Sequence, residues 1–184
     1  KEIIDMPMKI KRFELEAIKL KQLLDEGVLE MPSSLGIKDS EITSEGNKIL
    51  KIANSTFQGT RRAIHLLDMG ESSCLALSRI LTQKKIKNVL AVDERTTRML
   101  VEKPENLKFI LEKKIHTKIS IKKENLKFFK GFGIIRSPEL VYVAYKKGLI
   151  KMKDGNVLNA LLYAVKFKGA AISGDEIKEI ERIG

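Results

Sequence analysis

The sequence predicts an α/β protein, a three-layer α/β/α arrangement in which helices cover both faces of a central, mainly parallel sheet. Three observations carry this expectation. Val89, Leu90, Ala91 and Val92 form an apolar run with no polar alternation, the pattern of a parallel strand covered on both faces. An apolar helix to Leu81 and a basic connector of Lys84, Lys85 and Lys87 precede it, which makes half of a βαβ unit. Helical and β-prone stretches alternate elsewhere in the chain, as such folds require.

In chain order, Met6-Pro7 breaks any helix carried in from the first residues, because proline cannot continue a helix interior. Phe13, Ala17, Leu20 and Leu24 then fall at helical spacing over residues 9–26, and Gly27 suits the residue just past the helix end. Val28 to Met31 is β-prone and is stopped by Pro32, Ser33 and Ser34. Residues 40–54 read as a helix with Ile42, Ile49, Ile52 and Ala53 inside and Gly46 as a weak point. Residues 56–67 read as a second short helix holding Arg61, Arg62 and His65. His65 has no second histidine at metal-ligand spacing, which favours a packing role.

Asp68-Met69-Gly70-Glu71 has the form of a capping box that opens the next helix, whose apolar residues include Cys74, Leu75, Ala76, Leu77, Ile80 and Leu81. Cys74 reads as a small core residue; a lone cysteine excludes a disulfide framework. Asp93 and Glu94 end the predicted strand, and Thr96 or Thr97 suits the cap of the helix that follows. Pro104-Glu105 starts another helix, residues 118–121 are β-prone, and residues 133–136 form a further strand. Ser137-Pro138-Glu139 is a helix start closed by Gly148. Val157, Leu158, Leu161, Leu162 and Val165 give an amphipathic helix, and Ser173 with Glu176 a second capping box.

With 35 Lys+Arg against 24 Asp+Glu, the chain of 184 residues carries a formal charge of +11, which favours contact with polyanions. Residues 101–130 hold nine lysines and four glutamates, a surplus of five that is almost half of that total. Phe109, Phe128, Phe129 and Phe132 lie among those lysines, where aromatic faces can stack on bases while lysines meet phosphates, although phenylalanine at such spacing more often lies in a core. No apolar run approaches the ~20 residues of a membrane span and no signal peptide is visible, so a soluble, cytoplasmic protein is expected. No glycine-rich phosphate loop is present.

In an open α/β sheet, ligands gather at the carboxyl ends of the strands, which draws attention to Glu71 and Asp93. Gly70-Glu71 ahead of Leu75-Ala76-Leu77, and Val92-Asp93-Glu94-Arg95 with Arg98, resemble the acid-bearing helix and the strand-end turn of PIN-like nuclease domains. The spacing of Arg136-Ser137, Leu140, Ala144 and Gly148-Leu149-Ile150 is similar to a later helix of one branch of that family.

The resemblance covers residues 1–150 and implies a PIN-like domain with a basic, Phe-containing insertion around 101–130; residues 151–184 form a helical extension packed on it. It implies a metal-dependent ribonuclease using Mg²⁺ or Mn²⁺, hard cations held by carboxylates, with RNA as substrate. Glu71, Asp93 and Glu2 are then the catalytic candidates, with Glu71, Asp93 and Glu94 as metal ligands and Ser137 as a fourth site position. Arg95, Arg98, Lys122, Lys123, Lys127 and Arg136 are the candidates for nucleic-acid contact. The family's first aspartate has no counterpart here, and an N-terminal strand carrying it is expected upstream of Lys1. Without that strand, the alternative is a degenerate domain that binds nucleic acid or serves as a scaffold. The sequence leaves a second copy or another protein open as partners and excludes a membrane span.

Each candidate also has a plain structural reading. Glu71 can simply cap its helix, Asp93 and Glu94 can form a salt-bridged turn with Arg95 and Arg98, Glu2 can be a solvated acid, and Ser137 can be a cap.

Overall fold

A computed structural model describes residues 3–60, 63–152 and 154–183. The chain divides into two compact units, Lys1–Ile42 and Thr43–Gly184.

In the first unit, α1 spans Glu14–Asp25 between 3-10 turns at Pro7–Lys9 and Pro32–Leu35. Glu14 and Glu16 lie in its first turn, where a helix dipole favours negative charge. The helix ends as expected at Gly27, whose φ of +70° costs glycine nothing, and the Val28 and Leu29 amides both donate to the Leu23 carbonyl. Val28 to Met31 is not a strand: Val28 and Met31 are exposed and, among the described residues, no ladder partner lies beside them.

Helix α2, Asp39–Thr56, carries the chain into the second unit, where Ile49 and Ala53 are fully buried. Gly46 of α2 faces Ser73 of α3, Met69–Gln83, where an added Cβ would sit 3.5 Å from Ser73 Oγ, an ordinary packing contact. The Arg79 guanidinium of α3 bridges to Glu45 of α2 at 3.1 Å and also donates to the Phe128 carbonyl.

The described residues of 56–67 do not form a second helix, and Arg61 and Arg62 lie outside the described residues. β1, Phe57–Gln58, pairs antiparallel with β3, Ser120–Ile121, and the Ile64 amide returns to the Phe57 carbonyl at 2.9 Å. Burial of Phe57 against this ladder outweighs the weak local preference for helix.

β2 is only Leu90–Ala91, paired parallel with β4, Ile134–Ile135. The Leu90 amide donates to the Gly133 carbonyl and the Val92 amide to the Ile135 carbonyl, at 2.9 and 3.0 Å. β2 leads into α4, Arg95–Glu102, and α5, Pro104–Ile115; β3 and the short α6, Lys123–Leu126, precede β4, which leads into α7, Ser137–Lys146. Because β2 and β4 are parallel, the starts of α4 and α7 emerge at the same edge.

The expected three-layer α/β/α sandwich is therefore wrong. The protein is 62% helix and 5% strand, and among the described residues the strands form two separate two-stranded ladders, not a central sheet. Val89 is 57% exposed and Ala91 is exposed as well, so the run 89–92 is not sheathed on both faces. An apolar run specifies burial only when neighbouring strands and covering helices exist to supply it.

The chain closes with α8, Val157–Phe167, and α9, Gly174–Ile183. Leu158, Leu162, Ile172 and Ile177 form their shared core, against which Val141, Tyr142 and Tyr145 of α7 pack. The Ser173 and Glu176 capping box is present in both directions, at 2.8 and 3.1 Å. Among the described residues no helix is long and apolar enough to cross a membrane.

Candidate nucleic-acid interface

The carboxyl edge of the β2–β4 pair gathers most of the chemistry. Asp93, just beyond β2, accepts the Ser137 amide at 2.9 Å and the Ser137 hydroxyl at 2.5 Å. Ser137 thus ties its hydroxyl to the neighbouring strand end; it does not cap its own helix.

Glu94 caps α4, its two oxygens accepting the Thr96 and Thr97 amides at 2.8 and 2.6 Å. The expectation placed a threonine in that role. Partial burial alone would raise the Glu94 pKa, but the Thr97 and Thr96 amides outweigh it and hold the carboxyl below the ordinary glutamate range.

Arg136 is anchored on two sides. Its Nε donates to Glu139 at 2.6 Å and its other nitrogens reach Glu139, Glu176 at 3.1 Å and the Ala171 carbonyl at 3.4 Å. The Glu139 hydrogen bond, more than the opposing effect of burial, raises its pKa, so the guanidinium is a fixed charge. Glu176 is held below the ordinary range: burial would raise it, and the Ser173 amide and Arg136 outweigh that.

Arg95, Arg98 and Arg136 line one cleft of about 430 Å³ at this edge, together with Lys103. Arg98 lies 4.0 Å from Glu102, whereas Arg95 and Lys103 have no ion-pair partner among the described residues. Glu102, Glu139 and Glu176 also face the cleft, and Met99 and Ile134 supply its apolar wall. The sequence reading missed Lys103 and the three glutamates. Part of the signal was present: Arg95, Arg98, Met99 and Glu102 stand at i, i+3, i+4 and i+7, one stripe of a helix.

The remaining candidates do not line this cleft. Glu71 is in the first turn of α3, where its Oε2 accepts the Asp68 amide at 2.9 Å. Cys74, one turn on, is exposed, not a core residue; desolvation and the Glu71 charge push its thiol pKa up. Lys122, Lys123 and Lys127 lie at the β3–α6 segment and are not part of the cleft wall. Glu2 lies outside the described residues.

No family model, curated protein or solved structure matches the chain.

Among the described residues no group of three or more His, Cys, Asp or Glu could hold a metal ion. Glu71 and Glu94 serve as helix caps, and Asp93 accepts from Ser137. Nor do Phe109, Phe128, Phe129 and Phe132 form a stacking row. Phe128 and Phe132 lie against the Arg79 guanidinium, 3.6 and 5.4 Å from its carbon, and Phe129 is buried. Phe109 alone of the four is largely open, at 68% exposure.

His65 is not a packing residue: its side chain is 68% exposed and is held at the surface by hydrogen bonds. Asn54 accepts the Leu66 and Leu67 amides, which leaves its NH₂ group to donate to His65 Nδ1 at 3.2 Å. The His65 Nε2–H then donates to Asp68 at 2.8 Å.

Proposed function

We propose that this protein binds RNA, with the arginine-lined cleft at the carboxyl edge of the β2–β4 pair as its contact site and the lysine surplus of residues 101–130 as its wider electrostatic field. The observation that carries the reading is the convergence of Arg95, Arg98 and Arg136 on one cleft from two different chain segments. Arginine forks fit phosphate oxygens in pairs; Arg95 has no ion-pair partner among the described residues and Arg98 only a 4.0 Å approach to Glu102, while Arg136, held by Glu139 and Glu176, gives the cleft a fixed wall. The net charge of +11 adds long-range attraction to a polyanion. Fluorescence anisotropy with a labelled single-stranded RNA tests this. Arg95→Glu with Arg98→Glu should remove most binding at low salt, and unchanged binding would refute it.

A second reading, hydrolysis of RNA with Mg²⁺ or Mn²⁺, is favoured by the place of Asp93 beside Ser137 at the strand ends and by the PIN-like pattern around both. Its test is RNA cleavage by the full chain, with and without Mn²⁺. Cleavage that needs metal and is lost in Asp93→Asn supports this reading; metal-independent or absent cleavage rejects it.

A further inference from the structure

We infer that the cleft between α4 and the start of α7 takes a single ribonucleotide bearing a phosphate monoester. The inference rests on the RNA-binding reading and narrows it to a ligand.

The volume of about 430 Å³ lies near the lower end of the ~300–1,000 Å³ typical of small-molecule sites, room for one nucleotide and not for a run of them. Arg95 and Lys103, which have no ion-pair partner among the described residues, are the groups left to meet a dianionic phosphate, and Arg98 is held only loosely by Glu102. A cleft that bound polyphosphate alone would gain nothing from carboxylates. This one places Glu102, Glu139 and Glu176 on its wall, and a carboxylate accepts from ribose hydroxyls as readily as it repels phosphate. Met99 and Ile134 give the base an apolar surface. Cations, acceptors and an apolar wall in one cleft of this size match the three parts of a nucleotide, whereas an internal salt-bridge network would leave no cation unpaired.

The same chemistry comes from a free nucleotide or from a phosphorylated RNA end, and the experiment separates them. Calorimetric titration of the full chain at low salt uses adenosine 5′-monophosphate, uridine 5′-monophosphate, adenosine and inorganic phosphate. RNA oligonucleotides with a 5′-phosphate, a 3′-phosphate or no terminal phosphate form the second arm. The monophosphates should bind at least about tenfold more tightly than adenosine or phosphate, and Arg95→Ala with Lys103→Ala should remove that preference. Phosphorylated RNA should outcompete unphosphorylated RNA; equal competition with retained mononucleotide binding assigns the cleft to free nucleotides. If RNA binds through Arg95 and Arg98 but no mononucleotide does, the nucleotide pocket is wrong and the RNA reading stands. If mononucleotides bind and RNA does not, the RNA reading fails and the pocket stands. If neither binds, both fail and the charges form a structural network.

Discussion

Asp93 accepts both the amide and the hydroxyl of Ser137, at 2.9 and 2.5 Å, and so ties the end of β2 to the start of α7. The two residues are far apart in sequence but lie at the same edge because β2 and β4 run parallel. Ser137→Ala keeps the amide bond and removes the hydroxyl, leaving a half-buried carboxylate with one partner fewer. It should cost about 1.5–3 kcal/mol in urea unfolding, the range for hydrogen bonds to charged groups.

Glu71 distinguishes capping from metal binding. Glu71→Gln keeps an oxygen for the Asp68 amide and should be almost neutral, whereas Glu71→Ala should cost about 1 kcal/mol. Thermal melts with and without Mn²⁺ check this. A metal-induced rise in Tm present in wild type and absent in Glu71→Gln would instead show Glu71 acting as a ligand.

Helix α4 should weaken on the acid side through Glu94. Its folded pKa is lowered relative to the unfolded chain, so its stabilisation is complete above the ordinary glutamate range, about 4.3, and is lost as pH falls through the lower folded value. Glu94→Ala should therefore melt below wild type at pH 7, with the difference closing below about pH 4. A difference that grows on acidification would contradict the assignment of Glu94 as a charged cap.

The helices were legible because their signals are local. The periodic Phe13, Ala17, Leu20 and Leu24 marked α1, and the Asp68–Glu71 and Ser173–Glu176 boxes marked two helix starts within a residue. Strands were not, because a strand is defined by its partner. Phe57 was read as helical since Ile121, which makes it a strand, is remote in sequence; Val28 to Met31 was read as a strand and has no partner among the described residues. The site divided the same way. Arg95 and Arg98 could be paired from helix spacing, but Arg136 joins them only through the register of Leu90 with Ile134.

Lysines of the 101–130 segment should act as a field and not as a reader of sequence. Replacing Lys122, Lys123 and Lys127 with Glu should weaken binding to unrelated RNA sequences about equally, since contacts to phosphate carry no base information. Competition between several RNA sequences checks this; loss confined to one sequence would place those lysines in base recognition.

The salt dependence of RNA binding, compared between wild type and Arg95→Ala with Arg98→Ala, tests the arginine cleft most directly. Log K for a single-stranded RNA should fall linearly with log salt, and the double variant should have a slope shallower by about 0.7 for each phosphate contact removed, roughly 1.4 in all. A slope identical to wild type, or no binding at low salt in either protein, would contradict phosphate contact in the cleft.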